Sequence, residues 1–94
     1  MAFVIGAIRV KDFAEWKRGF DENPGVRQRA GMKAYQIFQS VDDPSVVVVC
    51  AEFPNAETAK KMLESEELKE ANQHSGVLEM LDMHFVERVD AAEV

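Results

Sequence analysis

Between Val46 and Phe53 the chain reads Val-Val-Val-Val-Cys-Ala-Glu-Phe, with one polar position, Glu52. Asp42-Asp43-Pro44-Ser45 precede this run and Pro54-Asn55 follow it. A β-branched run between turn-forming residues predicts a strand. Strand side chains alternate between faces. Val47, Val49, Ala51 and Phe53 therefore share one side, and Val46, Val48 and Cys50 the other. A sheet with one wet face alternates apolar and polar positions. This strand is apolar on both faces, which predicts a central place in the sheet and cover on each side. Phe3 to Val10 repeats the pattern as far as Arg9, and Gly6 within it marks close approach by another backbone or a ligand.

Helical periods lie between these strands. Asp12 with Glu15 three residues on resembles a capping box with Asp as the cap. Phe13, Trp16 and Phe20 then recur at helical spacing, opposite a wet face of Lys11, Lys17, Arg18, Asp21 and Glu22. Pro24-Gly25 interrupts the helix. Val26 to Ala30 resumes as a short turn ended by Gly31. Met32 to Ser40 mixes Lys33, Gln36 and Gln39 with Tyr35, Ile37 and Phe38, which suits an edge strand. Val41 to Ser45 reads as a hairpin loop. Asn55 caps a second helix with the stripe Ala56, Ala59, Met62 and Leu63. Ser65 caps a further segment, with Glu66 and Glu67 at its positive end. Leu68 and Ala71 continue the apolar face until Gly76. Val77 to Val89 forms a long last strand, and Asp90 to Val94 a frayed tail.

The order β-α-β-β-α-β, with right-handed crossovers, predicts an α+β, ferredoxin-like fold. Its sheet has four antiparallel strands in the order 4-1-3-2, with two helices on one face. The two most apolar strands fall in the middle. The helices cover only one side of them, so the other side predicts a second copy: a homodimer with its sheets face to face.

Length and charge narrow the class. Ninety-four residues make a single domain, 1–94. A chain this short buries only about 60–70% of its unfolded surface, and dimerisation adds to that. The net charge is −6, with acidic and basic residues interleaved. Without a basic stripe, neither nucleic acid nor an anionic membrane is an expected partner. No apolar run approaches the ~20 residues of a membrane span, and the first residues lack signal-peptide features. The expectation is a cytoplasmic protein. Cys50, the one cysteine, reads as a small hydrophobe. There is no nucleophile elbow, phosphate loop, dinucleotide glycine motif or paired metal-ligand spacing.

Asp82 and His84 stand two apart on the last strand and so share a face. Simple alternation adds Met80 and Val86 to that face, and Leu81, Met83 and Phe85 to the other. A carboxylate that orients an imidazole in an apolar wall makes a workable general base. The same pair supplies two metal ligands, with Glu52 as the candidate third; the plainer alternative is a half-exposed edge pair. Trp16 and Tyr35 are candidate aromatic walls of a pocket, against plain core packing for Trp16 and surface for Tyr35. His74 follows Glu70 at i, i+4, as a solvated ion pair, a helix C-terminal histidine or a ligand-binding group. Glu52, inside the most apolar strand, must be paired, exposed at the strand end or shifted in pKa.

Several stretches resemble a known superfamily: Val10-Lys11-Asp12-Phe13-Ala14-Glu15-Trp16-Lys17, Phe20-Asp21, Arg29-Ala30-Gly31, Asp42-Asp43-Pro44 and Ser65-Glu66-Glu67-Leu68-Lys69-Glu70-Ala71. They are similar to small dimeric α/β-barrel proteins of the cyclase and antibiotic-biosynthesis-monooxygenase-like kind, over about residues 3–89. The resemblance implies a homodimer that binds a small apolar or aromatic molecule and acts on it, by monooxygenation or cyclisation, without a cofactor or metal. In that reading His84, held by Asp82, takes a proton, and Trp16 and Tyr35 supply walls. The rival is a non-catalytic ligand-binding or assembly module. The superfamily's haem-degrading branch uses an Asn on the first strand, a Trp on the second helix and a His near that helix's end. Only His74 matches.

Overall fold

The computed structural model describes residues 1–94. The elements are β1 (Ala2–Val10), α1 (Phe13–Glu22), α2 (Gly25–Ala30), β2 (Ala34–Gln39), β3 (Val46–Phe53), α3 (Ala56–Glu64), α4 (Glu66–His74) and β4 (Val77–Glu87). One antiparallel sheet runs β2-β3-β1-β4, the ferredoxin-like order expected from the sequence. β2 and β4 are shorter than the strands expected over Met32 to Ser40 and Val77 to Val89, and no helix is long and apolar enough to cross a membrane.

Local chemistry sets the helix ends. The Asp12 carboxylate accepts from the backbone N–H of Ala14 and Glu15 at 3.0 and 3.4 Å, and Asn55 Oδ1 accepts from Thr58 N–H at 2.9 Å. Each side chain satisfies donors that the first helical turn leaves free. Gly31 ends α2 at φ +79°, where a Cβ would be strained. Ser65 serves two helices. Its hydroxyl donates to the Met62 carbonyl at 2.7 Å, in the last turn of α3, and accepts from Leu68 N–H at 3.2 Å, in the first turn of α4.

The central strands are apolar on both faces, but the helices cover one. On β1, Ala2, Val4, Gly6, Ile8 and Val10 are buried, while Ile5 between them is 40% exposed. On β3, Val47, Ala51 and Phe53 are buried on that same helix side. The core divides into two groups: Val4, Ala51, Phe53 and Ala59 under α3, and Ile8, Val10, Trp16 and Val47 under α1. The two helices sit differently. α3 presents the fully buried Ala59 and lies close to β1, β3 and β4. The backbone of α1 stands off from the sheet, and Phe13, Trp16 and Phe20 bridge the gap.

Pairing of β1 with β4 corrects one assignment. Ala7 pairs with Asp82 and Ile8 with Met80, so Leu81 is the extra residue of a bulge. The bulge resets the alternation. Met80 lies opposite the buried Ile8, on the helix side, rather than beside Asp82 and His84.

The close approach anticipated at Gly6 is made by β4. A Cβ there would collide with the thioether of Met83 and stand 2.8 Å from the Asp82 carbonyl oxygen. Near the C-terminal end of β1, Arg9 ties three segments together. Its Nη1 donates to Asp43 Oδ2 at 3.0 Å and to Ser45 Oγ at 2.9 Å, and its Nε to Glu79 Oε1 at 3.1 Å. The Ser45 hydroxyl in turn donates to Asp43 Oδ1 at 2.6 Å. The hydroxyl, then the guanidinium, hold the Asp43 carboxyl below the ordinary carboxylate range.

Two outcomes follow from these contacts. Gly6→Ala forces Met83 aside and should lower unfolding stability by about 1–3 kcal/mol in urea titrations, whereas unchanged stability would mean that Met83 swings away freely. Asp43 has a folded pKa below its ordinary value of 3.8, so its stabilising effect is present in full above that value and fades as pH falls through the folded one. The stability gap between wild type and Asp43→Asn, measured by urea unfolding, should therefore be wide at neutral pH and close in stronger acid.

Candidate functional site

The gap beneath α1 is not filled. A cavity of about 690 Å³ lies between the sheet and the helices. Its floor is Val4, Gly6 and Ile8 of β1, Val49 and Ala51 of β3, and Met80 and Met83 of β4. Trp16 and Phe20 form one wall, and Met62, Leu63, Leu68 and Ala71 the other. Arg18, Glu22, Glu70 and His74 are exposed polar groups around it. The interior is thus largely apolar and aromatic, with few charged groups, as in small-molecule sites generally.

Sequence dictates both halves of this lining. The three-and-four spacing of Phe13, Trp16 and Phe20 turns their rings toward the sheet, where they contact in series. Centroids are 6.1 Å apart for Phe13–Trp16 and 5.3 Å for Trp16–Phe20. Tyr35 of β2 then meets Phe20 edge to face at 5.0 Å. Four of the five methionines, Met32, Met62, Met80 and Met83, line the same space. Thioether chains are unbranched and polarizable, so they adapt to an irregular or planar guest.

The candidates drawn from sequence part company here. Trp16 lines the cavity and is also core, only 4% exposed. His74, the last residue of α4, reaches the cavity edge from a solvent-exposed position, and no ion pair forms with Glu70. Tyr35 is on the helix side, opposite Ala51, but lines a smaller concavity of about 380 Å³ with Pro24, Gln28 and Lys33. Asp82 and His84 pair with Ala7 and Ile5, on the face that no helix covers, and both are exposed. Glu52 is half-buried on that bare face, between Phe3 and Ala34. β1 separates it from β4, and no group of three His, Cys, Asp or Glu side chains converges anywhere.

Arg27 escaped the sequence reading. Its guanidinium lies 3.8 Å above the centre of the Phe20 ring and 5.5 Å from that of Tyr35. Nη1 donates to the Phe20 carbonyl at 2.7 Å. It lines both concavities and is half-buried. An arginine just after Pro24-Gly25 looks like ordinary surface in sequence; only the fold of α2 back onto Phe20 places it inside. The haem-degrading residue set does not fit. β1 has no Asn, and the one tryptophan is on α1 rather than on α3 or α4.

No protein-family model matches the chain, and no curated protein matches it in sequence. Solved structures do match in shape. One is a Bordetella bronchiseptica protein named for antibiotic biosynthesis monooxygenase, at TM-score 0.78 and 16% identity, covering 94% of this chain and 96% of that one. A Deinococcus radiodurans protein named in the same way matches at TM-score 0.70 and 15% identity, over 100% and 98% of the two chains. SnoaB, a cofactor-independent oxygenase from Streptomyces nogalater, matches at TM-score 0.74 and 13% identity, over 96% and 94%. At these identities the likeness is one of fold: the chain has the ferredoxin-like architecture of the antibiotic-biosynthesis-monooxygenase-like proteins over nearly its whole length.

Proposed function

We propose that residues 1–94 form a single dimeric α/β-barrel domain that takes a small, largely apolar, aromatic molecule into the cavity beneath α1. There it oxygenates or cyclises the molecule without a bound cofactor. The observation that carries this reading is the cavity itself. Its volume of about 690 Å³ falls in the range of roughly 300–1,000 Å³ typical of ligand sites, and Trp16 and Phe20 offer ring faces to a planar guest. The shared fold with SnoaB, a cofactor-independent oxygenase, supports the choice of chemistry. His84 and Asp82 lie on the far side of the sheet, so in this reading the proton of a bound phenol or carbonyl-flanked carbon passes to His74, the imidazole at the cavity edge. A non-catalytic ligand-binding module shares the cavity and differs only in lacking turnover.

The bare face supports the dimer. Phe3, Ile5 and Ala7 of β1, Val48 and Cys50 of β3 and Val86 of β4 share it, and Phe38 of β2, 52% exposed, extends it to the edge. Apolar residues of this size at the middle of a sheet are costly to leave in water. A second copy of the same face, related by a two-fold axis, covers them with a self-complementary surface. A stable interface of this kind buries about 800 Å² per partner.

Trp16 is the only tryptophan, so its emission reports on the cavity directly. Titration with a naphthohydroquinone or anthrone should quench it saturably at one ligand per chain. Ala71→Phe, which fills the cavity from the less buried α4, should weaken binding roughly tenfold, a loss of about 1.4 kcal/mol. Unsaturable quenching that the variant leaves unchanged would remove the cavity reading, and oxygen uptake with the bound quinol separates turnover from binding. Sedimentation should show a dimer in the wild type and a monomer in Ile5→Asp; a monomeric wild type at micromolar concentration would remove the face-to-face assembly.

A further inference from the structure

Resting on the cavity reading above, we infer that Arg27 is an anion anchor, and that the molecule bound beneath α1 carries a phenolate, enolate or carboxylate oxygen at the end nearest α2. The inference comes from a comparison of the cations around the cavity. Arg29 is held by Glu67, its Nε donating to Oε2 at 3.1 Å. Arg18 is exposed. Arg27 is half-buried, lines the cavity and forms no ion pair with any carboxylate. A guanidinium has five N–H donors. One N–H is committed to the Phe20 carbonyl. A partly desolvated charge with unfilled donors favours an acceptor brought by a guest.

Its orientation is set in advance. The Phe20 ring below and the Phe20 carbonyl beside it hold the guanidinium from two directions, so little order is lost when an oxyanion arrives. The acidic residues of the cavity, Glu15, Glu22, Glu67 and Glu70, are all exposed, and none pairs with Arg27. In a chain of net charge −6, Arg27 makes a local exception that welcomes a negative group. A purely structural tether of α2 to the end of α1 needs one N–H and no charge; an anion anchor needs the fork and the charge.

The test is isothermal titration of the 94-residue chain with 2-naphthoate and with its neutral counterpart, 2-naphthamide. Wild type should bind the carboxylate roughly tenfold more tightly. Arg27→Gln, which keeps a donor for the Phe20 carbonyl, should erase that preference while leaving amide affinity in place. Arg27→Lys keeps the charge without the fork and should retain part of the preference; it also carries the test should the Gln variant fail to fold. Equal wild-type affinities, or a preference that survives in Arg27→Gln, would overturn the anchor and leave the cavity reading standing. Binding of neither compound by the wild type would overturn both.

Discussion

The distance between helix and sheet is set by two side chains of very different size. Ala59 lets α3 settle onto β1, β3 and β4, and Trp16 props α1 away from them. The indole fills the space at one end of α1, and what remains beside it is the cavity. A ferredoxin-like layer of helices on a sheet needs no such void. This one exists because an aromatic stripe and an alanine contact sit on the same sheet face, and a packed interior closes voids unless something rigid holds them open.

The sheet then works as a partition. Its helix side carries Trp16, Phe20, Arg27 and the methionines; its other side carries Asp82, His84, Glu52 and an apolar field around Ile5. Because strand side chains alternate, neighbouring residues of β1 belong to different compartments: Gly6 floors the cavity while Ile5 and Ala7 face the bare side. Substitutions one position apart on this strand therefore act on different properties of the protein.

Much of this was legible in the sequence. The doubly apolar β1 and β3, the caps at Asp12, Asn55 and Ser65 and the turn at Gly31 rest on local chemistry that short stretches contain, and strand order followed from them. That Asp82 and His84 share one face was also readable, since no irregularity falls between them, although no hydrogen bond or ion pair joins the two side chains. Which face that would be was not. A strand apolar on both sides gives no sign of which side the helices take. The bulge at Leu81 leaves no mark in the sequence, where neither glycine nor proline interrupts the stretch from Val77 to Val89, so simple alternation put Met80 on the wrong side. Arg27 was missed because its meaning depends on contact with Phe20, seven residues back across the Pro24-Gly25 break.

Ser65 joins α3 to α4: its hydroxyl and backbone N–H both donate to the Met62 carbonyl that closes the first, and the same hydroxyl opens the second. Neither helix end has a separate cap at this junction, so the last turn of α3 and the first turn of α4 form one cooperative unit. Met62 and Leu63 on one side of the joint and Leu68 on the other all wall the cavity. Local melting there loosens that wall as a whole, so the breathing of the cavity on this side and the fraying of two helices are a single event.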